Sequence, residues 1–218
     1  LLAIESRSNE IVKGLYEIKG TVDFFVEKDK TPLFVAIEKD NINLIKFFLE
    51  KTKDINMLDS NDENAIFKTI DKNNLEFTKL LVDKNININQ KNKNGITPIF
   101  KTVIDDDYLE ITKYLIEKGA DITLKSKEGL NPVLLSAKNK AIRNLDFLLK
   151  NGGDINSTDN NGDTLLMYGV YFNNDKFIKY LLDKKININI KNRALKIINF
   201  LLLNCLNRIC FYILKCKK

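Results

Sequence analysis

A helical solenoid, stacked from helix-turn-helix units with short hairpin fingers, is the fold this sequence predicts, and three observations predict it. A tetrapeptide recurs as Thr31-Pro32-Leu33-Phe34, Asn64-Ala65-Ile66-Phe67, Thr97-Pro98-Ile99-Phe100, Asn131-Pro132-Val133-Leu134 and Thr164-Leu165-Leu166-Met167, its starts 33, 33, 34 and 33 residues apart. Self-similarity at a fixed period of this length belongs to stacked repeats. The chain's three prolines, Pro32, Pro98 and Pro132, all fall on the second position of the tetrapeptide. A polar break and a second apolar-periodic stretch follow each tetrapeptide.

Proline fixes its own φ and has no N–H, so it suits the first turn of a helix, with the preceding Thr or Asn placed to cap the open backbone donors. Each tetrapeptide therefore opens a short helix, for example Pro98 to Ile104. The partner stretches are Leu44 to Leu49, Leu75 to Val82, Leu109 to Ile116, Leu145 to Leu149 and Phe177 to Leu182. Their apolar residues recur at i, i+3 and i+4, the spacing of an amphipathic helix.

Between the second helix of one unit and the first helix of the next lies a turn-rich stretch: Asp54-Ile55-Asn56, Asn87-Ile88-Asn89, Asp121-Ile122-Thr123, Asp154-Ile155-Asn156 and Asn187-Ile188-Asn189. A single Ile between polar residues predicts an extended crossing with that Ile buried. Gly95, Gly129 and Gly162 sit two residues before a tetrapeptide, where a projecting hairpin needs positive φ, and Asp29 and Asp62 hold the same slot.

With these offsets the chain resembles the ankyrin repeat family over residues 31–191, as five repeats. The resemblance rests on the Thr-Pro start, the paired apolar residues late in the second helix (Phe48-Leu49, Leu81-Val82, Leu115-Ile116, Leu148-Leu149, Leu181-Leu182), Lys118-Gly119-Ala120-Asp121 and the Asp-Ile-Asn stretch. The family usually has His as the fourth tetrapeptide residue, bridging neighbouring repeats. Phe34, Phe67, Phe100, Leu134 and Met167 stand there instead, which implies apolar packing in place of that bridge. The repeats expected are 26–58, 59–91, 92–125, 126–158 and 159–191, between a partial repeat over 1–25 and an atypical segment over 192–218. Leu1 to Ile4 and Asn9 to Lys13 fit the two helices of a repeat whose start is missing, so a longer parent protein is expected.

Composition excludes several function classes. Residues 192–218 hold six basic residues and no acidic one; of 35 basic residues 29 remain elsewhere, against 29 acidic, so the whole +6 charge lies in that segment. A neutral repeat stack lacks the basic stripe that nucleic acid requires, and no nucleic-acid partner is expected. The run Ile197 to Leu214 is broken by Asn199, Asn204, Asn207 and Arg208, which argues against a membrane span. A closing repeat is the favoured reading; a membrane-surface contact through 197–218 and a reading-frame scar stay open.

On a helix Cys210 points about 140° away from Cys205, and Cys216 shares the direction of Cys205 but lies about 16 Å along the axis, so the three cannot hold one ion. With no His and no C-x-x-C pair zinc is not expected. The cysteines suit a reducing compartment, and with no leader-like start the cytoplasm is favoured. No nucleophile-base arrangement is present, so neither catalysis nor a cofactor is expected. Gly14 to Gly20 followed by Thr21 has the wrong spacing for a phosphate loop. Ser157 to Gly162 lacks the first and twelfth ligands of a calcium loop, and Asp105-Asp106-Asp107 reads as a solvated turn at the one-residue insertion.

What remains is a surface for one unidentified protein partner, on a monomer. The family resemblance implies that fingers and first helices line a concave face. By offset that face holds Glu27, Lys28, Lys30, Glu38 and Lys39, then Ser60, Asn61, Glu63, Asp71 and Lys72, then Lys93, Asn94, Ile96, Ile104 and Asp105. Lys127, Glu128, Leu130, Lys138 and Asn139 continue it, followed by Asn160, Asn161, Asp163, Tyr171 and Phe172. The contact set favoured is Lys93, Ile96, Ile104 and Asp105 with Lys127, Leu130, Lys138, Asp163, Tyr171 and Phe172. Ile96, Ile104, Leu130, Tyr171 and Phe172 are apolar where solvent is expected, and aromatic anchors dominate hot spots, so Tyr171 and Phe172 lead. Packing of that pair beneath the 192–218 segment is the competing reading.

Overall fold

The computed structural model describes residues 30–172, 174–184 and 186–188, with residues 10, 12–14 and 20. Asp29, the segment 192–218 with its three cysteines, and most of the partial first repeat lie outside the described residues. Glu10 and residues 12–14 are helical and Val12 is buried.

The chain divides into two compact units, Leu1–Asp121 and Ile122–Lys218. In the first, the helices are α1 (Pro32–Glu38), α2 (Ile42–Lys51), α3 (Ala65–Asp71), α4 (Leu75–Val82), α5 (Pro98–Thr102) and α6 (Leu109–Glu117). In the second they are α7 (Pro132–Lys138), α8 (Ile142–Lys150), α9 (Leu165–Tyr171) and α10 (Asp175–Asp183). Every first helix thus opens on the second tetrapeptide residue.

Capping explains the sharpness of these starts. Thr31 Oγ1 accepts from the Phe34 N–H at 3.3 Å, Asn131 Oδ1 from Leu134 at 2.9 Å and Thr164 Oγ1 from Met167 at 3.3 Å. The second helices use Asn41, Asn74 and Asn174 in the same way, toward Leu44, Phe77 and Phe177. The expected helix Pro98 to Ile104 is shorter than predicted, ending at Thr102. Asp105 Oδ1 accepts from the Asp107 N–H and starts a 3₁₀ turn, Asp106–Tyr108, which absorbs the inserted residue.

In the first unit α1 packs on α2 and α3, α3 on α4 and α5, and α5 on α6; in the second α7 packs on α8 and α9, and α9 on α10. Phe34, Phe67, Phe100, Leu134 and Met167 are all buried, as apolar packing at that tetrapeptide position requires. Burying one such side chain contributes roughly 1.5–3 kcal/mol. Two buried hydroxyl pairs join helices within repeats, Thr69 with Thr78 at 3.0 Å and Thr112 with Thr102 at 2.9 Å.

The fingers are tight turns, with one isolated antiparallel bridge between Thr158 and Thr164 among the described residues. Asp59, Asn92 and Asp159 each accept on Oδ1 from the N–H two and four residues ahead, at 2.8–3.1 Å. Gly95, Gly129, Gly162 and Asp62 all have positive φ, as their slot requires.

The Asp-Ile-Asn stretches differ from the extended crossing with a buried Ile. Ile55, Ile88, Ile122 and Ile155 are half-buried and lie in turns, Ile188 is exposed, and Ile86 and Ile186 just before them are the buried residues. The reason is local: Asp54, Asn87 and Asp154 accept on Oδ1 from the N–H two residues on, folding each tripeptide into an Asx turn. The Asn that ends the turn then accepts from the backbone of the next repeat. Asn56 takes the Asn87 N–H at 2.7 Å, Asn89 the Asp121 N–H at 2.9 Å and Asn156 the Asn187 N–H at 2.9 Å. Polar bridging between repeats has moved from the tetrapeptide to this turn.

Candidate partner-binding face

In the first unit the finger turns and the first helices share one charged layer. Lys68 Nζ lies 2.7 Å from Asp59 Oδ2 and 3.2 Å from Glu63 Oε2; Lys101 Nζ lies 2.7 Å from Asp71 Oδ1 and 3.7 Å from Glu63 Oε2. Asn92 Nδ2 donates to Glu63 Oε1 at 3.0 Å, so the second and third repeats meet on one carboxylate. Glu63 is buried by these partners, against its expected place on an open contact surface. Lys72 pairs with Asp40 at 3.1 Å and Lys30 with Glu38 at 2.7 Å.

Burial on its own pushes the Asp59 carboxyl up, but the Lys68 hydrogen bond, the Glu63 and Asn61 N–H groups and the Lys68 charge hold it below its ordinary value. Burial likewise disfavours the Lys68 ammonium, and the Asp59 and Glu63 carboxylates outweigh it, holding Lys68 above its ordinary value. These lysines are matched by the chain's own carboxylates, so this layer fixes register more than it attracts a charged partner.

Of the predicted contacts in this unit, Lys93 and Asp105 are exposed, Ile104 is 44% exposed and Ile96 is half-buried. Lys93 N–H donates to Asn61 O at 2.9 Å, tying its finger to the preceding one.

In the second unit the aromatic pair stands at the end of α9. Tyr171 is 42% and Phe172 41% exposed, while Tyr168, one turn earlier, is buried. The Tyr168 ring stacks with Phe172 at 6.4 Å between centroids and meets Tyr171 edge-on at 6.5 Å. Lys140, at φ 63°, lies over the Phe172 ring at 5.3 Å. Tyr168 OH donates to Asp159 Oδ2 at 3.0 Å and Tyr171 OH to Asp163 Oδ1 at 3.4 Å. Burial first, then these carboxylates, push both phenols above the ordinary tyrosine value.

Lys127 and Lys138 are exposed, Asp163 is half-buried, and Lys138 Nζ reaches Glu128 Oε2 at 3.8 Å. Leu130 is the correction here. It is 5% exposed rather than solvent-facing, because it holds the position just before the cap Asn131, where an apolar side chain covers the helix's first turn.

Tyr168, Lys140 and the lysine pair Lys68 and Lys101 are features of this face that offset mapping missed. The two lysines recur 33 residues apart at the same helix position, which is the signal that finds them. Among the described residues no cluster of His, Cys, Asp and Glu could hold a metal ion, and no helix is long and apolar enough to cross a membrane.

Paired helices with finger turns, bonded from repeat to repeat, define a repeat-type scaffold. A family model described as ankyrin repeats, three copies, matches residues 36–126 and again 102–192. The chain belongs to the ankyrin repeat family. Among solved structures it is similar to the ankyrin repeat domain of Bcl-3, described as a unique member of the IκB protein family, at 18% identity and a TM-score of 0.79, covering 88% of each chain. That likeness speaks for the fold alone. No curated protein sequence matches.

Proposed function

We propose that this chain is a protein–protein interaction module that binds a partner on the face of its finger turns and first helices, without catalysis. Ankyrin repeats are in general protein-binding scaffolds and typically non-catalytic. The observation that carries the reading for this chain is the aromatic pair Tyr171 and Phe172, more than two-fifths exposed at the end of a first helix while the ring beneath them is buried. Rigid aromatic side chains of this kind supply most of the energy of many interfaces. Ile104 offers a lesser apolar contact at the equivalent position of the third repeat.

The test is affinity capture from the source organism's lysate, read by mass spectrometry, with the parent chain beside a Tyr171→Ala, Phe172→Ala, Ile104→Ala variant. Circular dichroism establishes that the variant is folded. A partner retained by the parent and lost by the folded variant is the expected result. Identical retention by both overturns the assignment of the face.

A further inference from the structure

We propose that the outer side of α9, at Leu166 and Val170, is the seat of this chain's own segment 197–218, which stands there as a sixth repeat in register with the other five.

The burial pattern of the first helices marks that side. At the third tetrapeptide position Leu33, Ile66, Ile99 and Val133 are buried, and four residues further on so are Ile37, Ile70, Val103 and Ala137. In the fifth repeat the same two positions hold Leu166 and Val170, and both are only half-buried. Size does not explain the difference, since Leu and Val fill these positions in other repeats. What the earlier repeats have in addition is a first helix after their own: α1 packs on α3, α3 on α5 and α7 on α9. The two positions therefore belong to the side that meets the next first helix.

Residues 197–218 lie outside the described residues, and their sequence repeats the pattern that fills this place in the other repeats. Ile197 comes one period, 33 residues, after Thr164. Counted from there, Phe200 holds the fourth tetrapeptide position, which is buried in all five repeats. Asn207 holds the position of the helix caps Asn41, Asn74 and Asn174. Phe211 and Leu214 hold the positions of Ile178 and Leu181, both buried in α10. A repeat runs from Thr31 at its tetrapeptide to Lys51 at the end of its second helix, and the same span counted from Ile197 ends at Lys217.

Asn199 is the departure, polar at the third tetrapeptide position. That position faces a following repeat, so in this register Asn199 points away from α9. A helix lying on a lipid surface needs an apolar face but neither a cap at Asn207 nor a period kept from Thr164. Because α9 ends in Tyr171, the segment also braces the helix that presents the aromatic pair.

Two measurements on the full chain test the seat. With p-benzoylphenylalanine in place of Val170, photo-crosslinking should give a product of single-chain mass whose joined peptide comes from 197–218. A product of twice the chain mass gives the seat to a second copy and overturns the proposal, as does the absence of any joined peptide from 197–218. Hydrogen exchange then tests the register with two neighbouring substitutions. Phe200→Lys places a charge at a position buried in every repeat and should speed exchange of the α9 amides about tenfold, while α3 and α4 keep their protection. Leu201→Lys falls where Lys68 and Lys101 already stand in two repeats, and should change α9 exchange less than about threefold. Equal effects of the two lysines overturn the register. Unchanged α9 exchange in both overturns the seat, and co-sedimentation of the parent with anionic vesicles, lost in both variants, would then give the segment to a lipid surface.

Discussion

Lys68 holds two carboxylates that the fold has largely removed from water, and it is the residue whose loss the first unit should feel most among its charges. Lys68→Ala leaves Asp59 and Glu63 without that cation, and should cost about 2 kcal/mol, between the values of exposed and buried pairs, in urea denaturation. The pH dependence has two limbs. Asp59 is held below 3.8 in the fold, so its contribution is present above 3.8 and is lost as pH falls through the lower folded value. Lys68 is held above 10.5, so its contribution is full below 10.5 and is lost as pH rises through the higher folded value. Both limbs should flatten in Lys68→Ala; an acid limb identical to the parent's would show that Asp59 does not depend on this lysine. Glycine matters at two positions for different reasons. Gly119 has φ +91° with open space around its Cα, so Gly119→Ala should cost about 1 kcal/mol of backbone strain. Gly129 has φ +79°, and a Cβ there would lie 2.6 Å from Asn160 Cγ in the next finger, so Gly129→Ala should cost roughly 2–4 kcal/mol. Equal thermal shifts for the two would mean that the fingers are not held close.

The fingers show how one side chain organises a turn. Asp59, Asn92 and Asp159 each collect two backbone N–H groups, whereas Ser126 at the equivalent position has a buried Oγ with no hydrogen-bond partner among the described residues. Ser126→Asn should let the side chain reach the N–H groups of Glu128 and Leu130 and raise stability by about 1 kcal/mol, read as a higher urea midpoint at unchanged slope. No change, or a loss, would show that this finger is shaped by something other than its first residue. The same elements show where sequence reading succeeds. First helices were legible because proline and a capping Thr or Asn act on adjacent residues, and second helices because a 3.6-residue period survives in the pattern. The Asp-Ile-Asn stretches were legible as turn-rich, but the extended crossing with a buried Ile was a misreading, since one Ile between polar residues fits a strand as well as a turn. What settles their shape is an Asx bond, followed by an Asn bond to a residue 31 or 32 positions away. Leu130 and Ile96 share an offset, yet Leu130 is buried and Ile96 half-buried, so offset alone does not tell an anchor from a cover for the helix below it.

For the molecule as a whole, the candidate face was readable mainly in its exposed aromatic residues. Tyr171 and Phe172 are unusual residues for a solvated position and stand out in a string of letters; Glu63 and Lys68 look like ordinary surface charges until their spacing in the fold is known. The two units also differ along their finger turns and first helices: a layer of matched, largely buried charges in the first, and an aromatic group with nearby carboxylates in the second. Stacked repeats contact only their sequence neighbours, so stability should be regional rather than global. Leu148 in α8 is fully buried, and Leu148→Ala should cost roughly 2–5 kcal/mol. Its effect should be strongest in its own neighbourhood, with hydrogen exchange accelerating in α7 to α10 while amides of α3 and α4 keep their protection. Equal acceleration in all these helices would instead show one cooperative transition for the whole chain, and a ligand bound at Tyr171 would then stabilise α3 and α4 as much as α9.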